Sequence, residues 1–445
     1  MKRYQPFFRL LTVCALASAL PLAGCVADDK GGGGGSGGSS GSGGSGGGTG
    51  GSAGATSGCA NVDTTGCDVS LEPGANDDES VQTAFSDAKS GSTICLCPGT
   101  YSFTKELDLN VPNVTVKGLG ASIEDTVMDY AEQTVDDDGF SVTSDGFTIE
   151  NIWLKNTPGN GIVVTGASDV TFRKLKVSWD AGSVTANGAY AVYPVKSKNV
   201  IVEDTEVIGA ADAGIYVGQC DKAIVRNSKV HGSVAGIEIE NTTDAEVYGN
   251  EAYDNSAGIL VFVLPNLEKK DGMRALVHDN NVHDNNHENF AEKGSIVSNV
   301  PPGTGMLVLA ADQTEIKNNT IENNQSVGVL VVSMKTLDLV LATTPDPATD
   351  PYPEQTYIHD NTFTNNAQSP QGILDLFKLA PLENVIWDGQ VNGTVTGDVL
   401  CLGDPPLPSF RNFNAAGGGL ADNAKHSTDA SPHECKFPEL SPVSW

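Results

Sequence analysis

Short apolar segments with a period of two recur along most of the chain, and one of them repeats as a recognisable unit. It reads apolar-x-(Asn/Asp)-x-x-apolar in its commonest form and begins at Ile149, Phe172, Val202, Val225, Val247, Val277, Ile316 and Ile358. The intervals between these starts are 23, 30, 23, 22, 30, 39 and 42 residues, so a turn of about 22 residues is periodically enlarged by insertion. Each turn also holds a second apolar segment opened by a small residue, at Gly161, Ala191, Gly214, Gly236, Gly258, Gly305 and Gly328. Apolar positions at i and i+2, bounded by Gly, Asn and Asp, describe strands rather than helices. One such turn cannot bury its inner face alone, so the turns must stack, with equivalent positions about 4.8 Å apart.

This pattern predicts an all-β chain folded as a right-handed parallel β-helix solenoid over 59–400. A short amphipathic helix from Glu79 to Lys89 is expected to cap its N-terminal end, and an irregular tail to occupy 401–445, along the body without extending it. Asn250, Asn280, Asn319 and Asn361 fall in one column, with Asn318 and Asp360 in the column before. Asparagine tolerates left-handed backbone and can bond its amide to the next turn, so the column reads as a structural ladder.

Four insertions, Trp179 to Gly188, Leu264 to Gly272, Asn286 to Gly303 and Lys335 to Gln355, flank the same strand column and would wall a groove over it. On its floor Val192, Ile215, Ile237 and Ile259 point inward. Tyr193, Tyr216, Glu238 and Leu260 form a first outward column, and Val195, Gly218, Glu240 and Phe262 a second. Lys196, Gln219 and Asn241 lie just beyond, with Asp212 and His231 near the entrance. Tyrosines beside carboxylates suit sugar recognition. Glu238, Glu240 and Tyr216 are the candidate catalytic groups, and the others, with Phe262, the candidate ligand-binding residues. The two glutamates are about 6.5 to 7 Å apart along the strand, which leaves open a glycosidase-like pair, a site for a divalent cation such as calcium, or simply solvated charges on a wet face.

The chain begins with Lys2 and Arg3 before an apolar run from Leu10 to Leu22, the pattern of an export signal. Leu22-Ala23-Gly24-Cys25 resembles a bacterial lipoprotein cleavage box, which would place a lipid on Cys25, and the absence of Asp at position 26 resembles sorting to the outer membrane. Residues 26–58, rich in Gly and Ser, are expected to form a tether with a reach of roughly 30 Å. Formal charge is −30, and −33 once residues 1–24, with Lys2, Arg3 and Arg9 and no acid, are removed. Nucleic acid is excluded as a partner by that field, as is any membrane contact beyond the lipid. Cationic or neutral ligands remain. Export permits disulfides, and Cys59 with Cys67 and Cys401 with Cys435 are the plausible staples.

Ala211 to Gln219 (ADAGIYVGQ), Val234 to Asn241 (VAGIEIEN), Ala257 to Pro265 (AGILVFVLP) and the PPGTG at Pro301 resemble signature stretches of a family of bacterial parallel β-helix repeat lipoproteins, over roughly Glu79 to Asn366. That family has no assigned activity. The resemblance implies a gene-pair partner similar to an exported c-type-haem-like protein. More distantly the architecture is similar to pectate lyases, polygalacturonases, alginate epimerases and nitrous-oxide-reductase maturation proteins. The epimerase-type Asp-Pro-His-Asp motif is absent, and few basic residues line the floor. The expectation is thus a carbohydrate-binding protein with lyase, hydrolase or epimerase activity left open, and the alternative is a non-catalytic envelope scaffold that docks another protein.

Overall fold

A computed structural model of the chain describes residues 59–60 and 62–445. The expected export signal, Cys25 and the tether lie outside them. The apolar repeat becomes one continuous column, because each repeat start pairs in parallel with the next: Ile149 with Phe172, Phe172 with Val202, and so on through Val225, Val247, Val277 and Ile316 to Ile358. These residues are buried. Insertions of up to a whole turn's length leave the register untouched, since the extra residues loop outward between strands.

A second sheet, eleven-stranded among the described residues, runs in strict chain order from Lys105–Leu109 to Phe410–Asn412. Its central strands are Tyr190–Val195, Ala213–Gly218, Ala235–Glu240, Ala257–Phe262, Thr304–Leu309 and Val327–Val332. The column of small residues that opens them has a steric cause. A Cβ at Gly236 would lie 2.5 Å from the Gly258 carbonyl oxygen, one at Gly258 2.6 Å from that of Gly305, and one at Gly305 2.5 Å from that of Gly328. The backbone turns a corner here so tightly that successive rungs leave no room for a side chain. Gly258→Ala is therefore expected to destabilise by about 1–3 kcal/mol through overpacking. Gly74→Ala, where a Cβ meets nothing within 4 Å, should leave the thermal midpoint unchanged.

The asparagine column is a ladder. Asn250 donates both its backbone N–H and its amide to Asn280 Oδ1, at 3.0 Å each; Asn280 does the same to Asn319, and Asn319 to Asn361. A second ladder, unforeseen, runs five residues later through Asn255, Asn285, Asn324 and Asn366.

At the N-terminal end the helix spans Asp77–Asp87, and its Phe85 stacks on Phe140 at 5.0 Å. The expected pairing of Cys59 with Cys67 is corrected to Cys59–Cys97 and Cys67–Cys95, while Cys401–Cys435 forms as anticipated. Parallel pairing of Val69–Leu71 with Thr93–Leu96 is what carries Cys95 and Cys97 to the first two cysteines. The solenoid also passes its expected end at Leu400, because Phe410–Asn412 adds another rung on Val385–Trp387. Beyond that the chain turns back along the body, where Leu440 and Val443 donate backbone N–H groups to Glu315 and Glu246.

Candidate functional site

The floor expected from the strand alignment is found in register. Tyr216 pairs with Glu238 and Glu238 with Leu260, while Gly218 pairs with Glu240 and Glu240 with Phe262. The expectation of a wet outer face is corrected: Tyr216 is 4% exposed, Glu238 3% and Glu240 5%. The insertions meet in pairs. Thr185 in the first donates to the Phe290 carbonyl in the third at 2.6 Å, and Asn266 in the second donates its N–H to Asp346 in the fourth at 3.0 Å. Each wall of the groove is thus two insertions from different rungs bonded together.

Tyr216 reaches across the strand to Glu240 because Gly218, two residues on, has no side chain; a Cβ there would lie 2.2 Å from the tyrosine ring. Its phenol donates to Glu240 Oε1 at 2.6 Å. Tyr190, which the sequence reading missed, completes a cluster, with ring centroids 4.7 Å from Tyr193 and 4.5 Å from Tyr216. Tyr190 also donates to Asp212 at 3.4 Å. Strict alternation assigns Tyr190 to the inward side with Val192, but the corner at the small-residue column breaks that parity and turns it outward.

Three carboxyls sit against these rings, and among the described residues no cation balances them. Burial, and then the charge of Asp212, push Glu238 well above the usual carboxylate range; burial raises Glu240 as well, against the opposing effect of Tyr216. Asp212 is pushed up to about 8, by burial first and the Glu240 charge second. Glu238 Oε2 is buried and, among the described residues, receives no hydrogen bond from a protein donor. The phenol of Tyr216 donates to Glu240, and the two glutamates titrate as one pair in which Glu238 is pushed up the harder and so holds a proton the more tightly. Tyr216 itself is held neutral, its phenol raised well above 10 by burial and by the Glu240 charge. It can donate a proton but cannot serve as a tyrosinate base.

Carboxyls in mutual hydrogen bond are closer than the 5 Å or more that a glycosidase acid and nucleophile need between them. The glutamates therefore lean together instead of standing apart as the strand spacing allowed. Nor do Asp212, Glu238 and Glu240 converge as a cation site: among the described residues the grouping with metal-ligand spacing is Asp398 with Cys401 and Cys435, and those two cysteines are bonded to each other.

The remaining candidates separate into those that join the cluster and those that do not. Tyr193 and Asp212 join it, and Phe262 lies on the next rung. Lys196 pairs with Glu268 at 2.6 Å, Gln219 accepts the N–H groups of Glu268 and Lys269, and Asn241 both donates to and accepts from Leu264. All three hold the 264–272 insertion in place. His231 lies on the other sheet, 4.8 Å from the ring of Tyr253 and 3.7 Å from Glu206, and so is not at the entrance.

No curated protein matches the chain by sequence. Residues 160–344, which contain the whole cluster, match the family model described as right handed beta helix region. This segment is a right-handed β-helix. Solved structures similar to the β-helix include the mannuronan C-5 epimerase AlgE4 A-module of Azotobacter vinelandii, at 16% identity over 73% of this chain and 92% of that one, with a TM-score of 0.49. An alginate lyase from Paenibacillus sp. str. FPU-7 is 14% identical over 68% and 97% of the two chains, at 0.39. An exopolygalacturonase from Thermotoga maritima is 8% identical over 65% and 77%, at 0.45. At these identities the likeness concerns architecture and not chemistry.

Proposed function

We propose that the chain is an exported, lipid-anchored envelope protein that binds a neutral or cationic carbohydrate in the groove over its second sheet. The observation that carries this reading is the cluster of Tyr190, Tyr193 and Tyr216 packed against Asp212, Glu238 and Glu240, with the buried Glu238 Oε2 left without a protein donor. Ring faces pack on the apolar side of a sugar, and carboxyls and phenols bond its hydroxyls. The causes that shift Glu238 and Glu240 include no Lys or Arg, so nothing in the cluster would balance the charge of an anionic uronate. Glu238 as proton donor and Glu240 as acceptor can exchange a proton with a bound hydroxyl, which is the chemistry the pair offers.

A glycan array with the full-length protein tests this. Neutral or amino-sugar glycans should bind, with Tyr216→Ala weakening any hit at least tenfold and Glu238→Gln removing the proton exchange. Absence of any glycan ligand, together with stoichiometric capture of one protein from envelope extract, would instead establish the scaffold role.

A further inference from the structure

Both outward columns change character at one rung boundary. Along the solenoid axis the first reads Tyr193, Tyr216, Glu238 and then Leu260, Leu307, Leu330; the second reads Val195, Gly218, Glu240 and then Phe262, Leu309, Val332. Adjacent rungs are about 4.8 Å apart. Within that distance the floor passes from acids and phenols to aliphatic and phenyl side chains.

The apolar half is a cavity of about 490 Å³. Phe262, Leu307, Leu309 and Leu330 form its floor, and it is walled by Val340 of the helix Met334–Leu341, by Leu374 and Leu376 of the 3₁₀ turn Gly372–Phe377, and by Phe413, with one side open. Its buried acid, Asp388, offers nothing to a ligand, because one carboxylate oxygen accepts from Ser333 N, Ser333 Oγ and Thr336 Oγ1 and the other from Gln390 N. Cavities of this size lined by aliphatic and aromatic side chains take small apolar groups. Leu376 stands at the rim, 70% exposed.

We infer that the ligand is an amphiphile, a hydroxylated head joined to an aliphatic chain: the head rests on the Tyr216, Glu238 and Glu240 cluster and the chain fills the cavity that begins at Phe262. This rests on the carbohydrate reading of the polar half and adds the class of molecule that would span both halves. A free polysaccharide would leave the apolar half unused, and a simple fatty chain would leave the carboxyls uncompensated.

The test is titration of the full-length protein with n-alkyl glucosides from hexyl to decyl, below their micelle concentrations, beside glucose and 1-octanol. Affinity should rise about three- to fourfold for each added methylene until the cavity is full. Leu376→Glu, a change at an exposed rim that should leave the thermal midpoint unaltered, should weaken octyl glucoside at least tenfold and glucose not at all. Glu238→Gln should weaken octyl glucoside and leave 1-octanol unchanged. If glucose and every alkyl glucoside bind alike, with Glu238→Gln weakening all of them, the amphiphile inference is overturned and the carbohydrate reading survives. Should 1-octanol match octyl glucoside with Glu238→Gln affecting neither, the head-group contact is absent and both fall.

Discussion

Asn280→Ala should lower the stability of the solenoid by roughly 3–5 kcal/mol, among the largest losses available to a single substitution that removes no apolar surface. Its side-chain oxygen accepts two bonds from Asn250, and its amide donates to Val247 O at 2.9 Å and to Asn319 Oδ1 at 2.9 Å. Alanine deprives all four of those buried partners of a bond; Asn319 Oδ1 keeps the backbone N–H of residue 280 and the Asn250 amide keeps Val225 O, but the Asn250 N–H loses its side-chain acceptor, and each orphaned group costs about 1–3 kcal/mol before relaxation. Because stacked rungs are coupled mainly to their neighbours, the damage should stay local. Hydrogen exchange should therefore accelerate in the rungs around Val247 and Val277 and much less at Ile149, and the denaturation midpoint should fall. Protection unchanged around Val247 would contradict the ladder's role.

The second large effect is electrostatic. Asp212 has its pKa raised from an ordinary 3.8 to about 8, so the folded protein holds this proton more tightly than the unfolded chain. Between those two values the native state binds more protons, and stability falls as pH rises. Below pH 3 the residue is protonated in both states and contributes nothing; above pH 9 the whole penalty is present. Asp212→Asn should thus match the parent at pH 3 and exceed it by roughly 3 kcal/mol at pH 9, a figure near half the nominal conversion because Asp212 keeps some contact with solvent. Its removal also withdraws one of the charges that raise Glu238. Thermal midpoints of the two proteins across that range check the claim, and parallel curves would refute it.

The fold was legible because its rules are one-dimensional. Once Val202, Val225 and Val247 were seen to recur at near-constant spacing, their pairing followed, and with it the neighbourhood of Tyr216, Glu238 and Glu240. The second asparagine ladder was also open to view, since Asn255, Asn285, Asn324 and Asn366 each follow the first by five residues. What escaped depends on how loops fold back. Alternation marks Glu238 as outward but cannot reveal that it will be buried, nor that Thr185 and Phe290 will join across a wall. Nor does it show that Gly372–Phe377 and Phe413 will wall a cavity over Leu307 and Leu330. Tyr190 was lost to the parity break at the corner. His231 was misplaced because a turn position does not say which sheet its side chain will lie on.

The proposed chemistry of the site requires one buried proton shared between Glu238 and Glu240. Infrared difference spectroscopy at pH 7, comparing the parent with Glu238→Gln, reads it directly. A component of the protonated-carboxyl stretch present in the parent and missing from the variant, beside the one that Asp212 contributes to both, is the result expected. A parent spectrum containing only ionised carboxylates at that pH would contradict it, and would turn the buried pair into two charges that no neighbour neutralises.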